Sequence, residues 1–274
     1  MIARQQKRSI IIGIYLVIFL SIGTLIFFAV APAPSCTDGK RNQREEKVDC
    51  GGPCAVCPEM PNVAALAVAE QEVLFGGSGV YDVVASITNP NQEHGASTLS
   101  YTMILLNNSG EQIAERRGTT FILPSETKQI VETNIPASIA PSRVDVTVSD
   151  VRWEQFSGYE KPQLNIYNRQ FAPISSGVGF AQVQGLLRNE SSFDFNSVRI
   201  VVVLRNAAGV PVAAHKTEMR TVDAGEARDF RLIWPNSFPG DVQRLEMEAE
   251  ADVYNSQNFV KKYLPGGKFQ ELAQ

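Results

Sequence analysis

The chain of 274 residues has only two histidines, His94 and His215, and four cysteines, none of them beyond residue 57. So little imidazole removes most acid–base and metal constellations. No H-E-x-x-H pair and no Walker loop exists. Each histidine stands alone, one in a predicted loop and one in a predicted strand, and reads as a solvated surface residue. "GGSGV" (Gly76–Val80) misses the G-x-S-x-G nucleophile elbow by one position and has no helix after it. It reads instead as a flexible loop between the first two strands, matched by "SSGVG" (Ser175–Gly179). Positive charge is also lacking: 25 Lys and Arg face 29 Asp and Glu. Three of those cations are Arg4, Lys7 and Arg8, so the remainder is acidic, which excludes the basic face a nucleic-acid binder needs. No long helical period appears after residue 31, which points away from any helical fold.

What is present begins with an uncharged run from Ser9 to Ala31. Its core, Ile10–Val30, is dominated by Ile, Leu, Val and Phe. At 1.5 Å per residue that core reaches about 31 Å as a helix, against a bilayer core of about 30 Å. The flanking cations place the N-terminus in the cytoplasm and everything after Pro32 outside. The run is longer than a signal peptide's apolar region, although "AVA" (Ala29–Ala31) has a small-x-small look; an uncleaved anchor is expected.

All four cysteines, Cys36, Cys50, Cys54 and Cys57, fall in residues 32–58, a polar segment with almost no large apolar residue besides Val48 and Val56. Such a segment cannot bury a core, so crosslinks must hold it. Outside the cytoplasm the expected crosslinks are disulfides, and three pairings are open. Zinc at Cys54-x-x-Cys57 lacks a second C-x-x-C pair. A redox pair lacks its βαβ context. Asp38, Asn42, Glu45 and Asp49 do not have EF-hand spacing for Ca²⁺. No cofactor is expected. The segment resembles a motif of secreted and surface proteins, mostly bacterial, reading C-x-D-G-x-x-N-x-x-E-x-x-V-D-C-G-G-x-C-x-x-C, and matches it from Cys36 to Cys57. That resemblance implies an exported, cysteine-stabilised module and no catalytic activity.

From about residue 59 the chain repeats itself with an offset near 100. "YDVVASITNP" (Tyr81–Pro90) answers "AQVQGLLRNE" (Ala181–Glu190), and "LSYTMILLNNSGEQI" (Leu99–Ile113) answers "VRIVVVLRNAAGVPV" (Val198–Val212). "LPSET" answers "DAGEA", and "RVDVTVSDVRW" answers "RLEMEAEADVY". Alternation marks Leu99, Tyr101, Met103 and Leu105, and likewise Val198, Ile200, Val202 and Leu204, as the buried faces of two strands. Val201 and Val203 are apolar too, so that strand is covered on both sides or faces the sister domain. Asn107–Gly110 and Asn206–Gly209 suit type I turns with Gly at positive φ. The first strands are expected at Val63–Ala69 and Gln163–Arg169. The strand–turn units M-x-L-L-N-N-S-G and V-x-L-R-N-A-A-G resemble the FxLYD domain, with Leu105 and Leu204 matching outright and the Phe, Tyr and Asp positions replaced. The resemblance implies a small Ig-like β-sandwich of exported, membrane-tethered bacterial and archaeal proteins, with no known active site.

Three further clusters are read as structural. Glu246, Glu248, Glu250 and Asp252 share one strand face, expected to be solvated. Trp153 and Tyr254 sit at equivalent ends of the last strands and close each core. The tail of residues 258–274 packs across the second domain or docks on a partner.

The expected architecture is all-β: a cytoplasmic stub (1–8), one transmembrane helix (9–31), a Cys-rich stapled segment (32–58), two tandem Ig-like Greek-key sandwiches (59–157 and 158–257), each its own folding unit, and a tail (258–274). The linker Phe156–Pro162 is short enough to hold the pair stiffly. The expected work is non-catalytic: a single-pass envelope protein that presents Ig-like domains for protein–protein interaction, adhesion or envelope assembly. Its partners are the membrane and proteins of the cell envelope, not nucleic acid, and no small-molecule ligand is specified. The alternative is a sensor or solute-binding ectodomain acting through a partner membrane protein. A hydrolase is disfavoured because no nucleophile–base set is visible. The staple reading predicts that alkylation of the unreduced protein labels no cysteine by mass spectrometry; two or more labelled thiols, or stoichiometric zinc, overturn it.

Overall fold

Period-two patterning dominates the chain after residue 66, and it folds accordingly. The computed structural model describes residues 12–23, 35–36, 42–45, 50–55, 63–156, 158 and 160–264. These fall into two compact units, Met1–Pro61 and Asn62–Gln274.

In the first unit residues 12–23 form a helix, α1, whose apolar side chains are exposed on every side. The described part is about 18 Å long, and no helix among the described residues is long and apolar enough to cross a membrane. The remainder of the expected span lies outside the described residues. Cys36 and Cys54 form a disulfide with 5.6 Å between their Cα atoms, and Cys50 is disulfide-bonded as well. Cys57 lies outside the described residues. Beside the disulfide, the buried Glu45 accepts from the Asn42 backbone N–H at 3.2 Å, and its other oxygen lies 3.3 Å from Cys54 Sγ.

The second unit is all β apart from its end. Its strands are β1 (Ala67–Gly77), β2 (Val80–Thr88), β3 (His94–Leu106), β4 (Gln112–Ile122), β5 (Thr127–Pro136), β6 (Arg143–Gln155), β7 (Leu164–Pro173), β8 (Ala181–Asn189), β9 (Phe195–Arg205), β10 (Pro211–Val222), β11 (Ala227–Trp234) and β12 (Arg244–Ala251). They make four antiparallel three-stranded sheets, β1-β2-β5, β4-β3-β6, β11-β8-β7 and β10-β9-β12. The first six strands and the last six follow the same topology, as the internal repeat requires. A 3₁₀ turn (Val253–Asn255) and the short helix α2 (Gln257–Tyr263) close the unit, and α2 buries Phe259 and Tyr263 in the second half's core. This settles the described part of the tail as packed.

Burial along each strand shows how the sheets stack. The two sheets on the outside alternate: β8 is buried at Ala181, Val183, Gly185, Leu187 and Asn189 and more open between them. The two on the inside do not. Residues 82–87 of β2 and 200–205 of β9 are buried without a break. Continuous burial means both faces are covered. On β2, Val83, Ala85 and Ile87 face the first half's own core, while Val84 turns the other way. On β9, Val198, Ile200, Val202 and Leu204 face the second half's core, while Val201 and Val203 meet Val84, Leu74 and Val131 across the seam. Strand β10 touches β1, β2 and β5 in turn, so the strands of the two inner sheets run across one another.

The repeated turn motifs are structural devices. Asn107 and Asn206 each accept two backbone N–H bonds through Oδ1, and Gly110 and Gly209 take φ +79°, as the turn reading expects. Asn89 and Asn189, both buried, each donate through Nδ2 to a carbonyl at or just before the start of the next strand, His94 O or Phe193 O, and to the β4–β5 or β10–β11 turn. Glu126 and Glu226 cap those turns on the N–H of Leu123 and Asp223.

Three expectations are corrected. The first strand is Ala67–Gly77, not Val63–Ala69, because the polar Glu70 and Gln71 have partners: Gln71 Oε1 accepts from Val146 N–H at 2.6 Å. Its counterpart likewise extends to Pro173. Residues 76–80 form a tight hairpin turn rather than a flexible loop. Gly77 has φ +144°, and a Cβ there would collide with Asn236, whose amide donates to Gly76 O at 3.0 Å. The halves are also not independent units, since Phe121, Leu123 and Phe156 of the first belong to the core of the second. A charge in either core costs several kcal/mol. Leu105→Asp and Leu204→Asp, at sites with no exposure, are therefore each expected to unfold both halves in one calorimetric transition; a surviving transition from the unmutated half would refute the shared core.

Candidate functional site

The seam between the halves carries two buried cations, Arg205 and Lys128. Arg205, at the end of β9, donates to both oxygens of Glu70 on β1 at 2.6 and 3.0 Å, to Glu246 on β12 at 2.6 Å, and to Gly209 O at 3.0 Å. These contacts, led by the Glu70 pair, raise its already high pKa further. Lys128 on β5 has only 2% of its side chain exposed; its Nζ sits 2.7 Å from Glu250 on β12, 2.9 Å from Phe121 O, and over the Phe121 ring. Glu132 on β5 accepts from Lys216 on β10 at 2.9 Å and from Tyr101 at 2.6 Å. Burial, then the Glu132 bond, pushes the Tyr101 hydroxyl's pKa upward.

The acidic face of β12 is only partly solvated: Glu248 is exposed, whereas Glu246 and Glu250 are half-buried. Glu246 and Glu250 are ion-paired in the seam, and Asp252, just past the strand, caps the 3₁₀ turn by accepting from Tyr254 N–H at 3.1 Å. Burial raises the Asp252 carboxyl, and its bonds to Tyr254 and Asn255 and the charge of Lys128 partly offset this. His215 is not a free surface residue either. It is half-buried, its ring 5.5 Å from Trp234. The nearby Asp82 on β2 is raised by burial, and its bond from Asn134 N–H and the proximity of His215 temper the shift. His94 opens β3 as a half-buried residue whose carbonyl serves Asn89. Trp153 packs on the first core, but Tyr254 lies beyond β12 and closes the junction between the halves. Its ring is 6.1 Å from Phe121 and 5.7 Å from Phe156, and its hydroxyl donates to Ile122 O at 3.3 Å. Gly95 is needed here, since a Cβ would strike that hydroxyl and the Ile122 carbonyl.

Beside Tyr254 the seam opens into a cleft of about 670 Å³. Ser97, Thr98, Thr119 and Thr120 form one wall; Asn196, Ser197, Arg199, Asp252 and Asn255 form the other. A second hollow of about 300 Å³ continues it past Arg152 and Glu154 and shares Ser97, Thr98, Asp252, Tyr254 and Asn255. Local chain geometry opens the first wall. The β3–β4 pairing jumps from Ala96 to Leu99, and the β3–β6 pairing shifts on both sides of Thr98. Bulges of this kind re-aim side chains. Arg199 is held by Glu250 at 3.4 Å, Asn255 donates to Asp252 at 2.6 Å, and Ser97 to Glu154 at 3.1 Å.

Of the residues singled out from sequence, the cleft gathers only Asp252 and Tyr254. The hydroxyl and amide walls were missed, yet a signal existed: Ser97–Thr98 and Asn196–Ser197 precede the equivalent core residues Leu99 and Val198, and the fold sets these matching pairs opposite one another. Cys36 and Cys54 lie within ligand distance of Glu45, but their sulfurs are joined to each other.

No protein-family model and no curated protein matches the chain. Among solved structures it is similar to a transglutaminase of red sea bream, with 12% identity over 71% of this chain and 30% of that one and a TM-score of 0.20. The chain spans less than a third of that protein, and a likeness of that size carries no argument.

The buried ion pair yields a test. Lys128→Met leaves Glu250 short of its main partner and is expected to cost about 3–5 kcal/mol in urea denaturation. Adding Glu250→Leu should recover most of that loss; a double variant as unstable as the single one would show that the pair is not what the site requires.

Proposed function

We propose that this is a non-catalytic, membrane-anchored protein of the cell envelope whose two Ig-like sandwiches act as one rigid body for recognition outside the membrane. The observation that carries this reading is the seam. Ion pairs from Arg205, Lys128 and Lys216, together with Val84, Val131, Val201 and Val203, tie the halves into one unit. The linker adds to this, since Phe156 is buried and Lys161 reaches Glu126 at 2.7 Å. A recognition surface gains from such rigidity because little freedom is lost on binding. The anchor is supported by α1, whose side chains are exposed all round and apolar, an arrangement suited to lipid rather than water. The Cys36–Cys54 disulfide fits an oxidising exterior.

A second reading, a solute-binding ectodomain, is favoured by one observation: polar side chains from both halves converge on the cleft beside Tyr254.

Topology is the decisive measurement. A membrane-impermeant amine reagent is expected to label the lysines of the β unit on intact cells, and the protein should leave the membrane only with detergent. Labelling confined to lysed cells, or release by alkaline carbonate, would sink the envelope assignment.

A further inference from the structure

We propose that the cleft beside Tyr254 binds a neutral oligosaccharide. The proposal deepens the solute-binding reading and rests on that cleft, not on where the protein resides.

The lining is the first reason. Thr98, Thr120, Asn196, Ser197 and Asn255 both donate and accept hydrogen bonds, which is what a ligand made of hydroxyls requires. The charged groups are opposed in sign, Arg199 against Asp252 in the main cleft and Arg152 against Glu154 in its continuation. A sulfated or phosphorylated polymer would meet carboxylates beside every arginine, so the balance favours an uncharged ligand. A peptide would call for apolar pockets to take its side chains, and the apolar lining amounts to Phe121 and Tyr254 in the main cleft, the first already covered by Lys128, and to Val260 and Leu264 in its continuation.

Shape is the second reason. The main cleft and its continuation share five residues and follow one another around Tyr254, which suits a chain of several sugar rings rather than a single one. Tyr254 lines both parts, and its hydroxyl bond to Ile122 O fixes the ring. A fixed aromatic ring is a natural platform for the C–H face of a sugar, whose positive edge meets the ring's negative face.

Rigidity is the third. The walls come from β3 and β4 of one half and from the start of β9 and the 3₁₀ turn after β12 of the other, so the site exists only because the seam holds them at fixed separation. Hydroxyl and amide contacts are individually weak in water, and they become useful when the site is assembled beforehand.

The test uses the full chain in detergent micelles, titrated calorimetrically with maltotriose, cellotriose and chitotriose, and with a heparin-derived trisaccharide and an unstructured peptide as competitors. At least one neutral trisaccharide is expected to bind. Thr98→Val and Asn196→Ala, one on each wall and both at exposed positions, are each expected to weaken it roughly three- to tenfold, the weight of one or two neutral hydrogen bonds, without moving the melting temperature. Binding of none of the three, binding unaffected by both variants, or preference for the charged trisaccharide or the peptide overturns the proposal.

Discussion

Everything in the β unit depends on Arg205 and Lys128 finding carboxylates on the opposite half. A guanidinium or ammonium withdrawn from water loses several kcal/mol of hydration, and only a well-formed partner set offsets the loss. Arg205 has that set in Glu70, Glu246 and the Gly209 carbonyl, and Lys128 has it in Glu250, the Phe121 carbonyl and the Phe121 ring. Each bond runs between sheets that belong to different copies of the repeat or pins such a sheet in place. The apolar stripe of Leu74, Val84, Val131, Val201 and Val203 supplies the attraction. The ion pairs supply the register, since a slip of one residue would leave a buried cation with no partner.

That constraint explains why a duplicated module is one body. A short linker alone would limit the halves to a hinge. Here Phe121, Leu123 and Phe156 enter the second core while Tyr254 seals the junction with its hydroxyl on Ile122 O. The cleft lies where β3 and β4 of the first half's outer sheet come beside the start of β9 and the turn after β12, and there the two copies present polar side chains instead of valines. The site thus belongs to neither half alone.

How much of this could be read beforehand differs element by element. The buried faces of β3 and β9 were legible because alternation reports directly on which side chains share a face. Val201 and Val203 even announced a second covered face. The Asn–Gly turns were legible because positive φ selects glycine. The β12 carboxylates show the limit: solvation holds for Glu248 but not for Glu246 and Glu250, because period two says nothing about what lies opposite. Glu70 and Gln71 fell outside the expected first strand for the same reason, since their partners are distant in sequence. Ser97, Thr98, Asn196 and Ser197 are unremarkable singly and acquire meaning only when the packing of the two halves brings them to one cleft.

The sequence by itself determined the all-β class, the repeat, the oily N-terminal segment, the clustered cysteines and the two core strands, all of which follow from local periodicity, composition and spacing. Tertiary structure alone decided that the halves cross and fuse, that Glu246 and Glu250 of one strand meet buried cations at a seam, and that a polar cleft opens beside Tyr254. The physical reason is that side-chain period encodes which face a residue occupies, whereas the partner of that face is chosen by long-range packing and by the need to neutralise each buried charge.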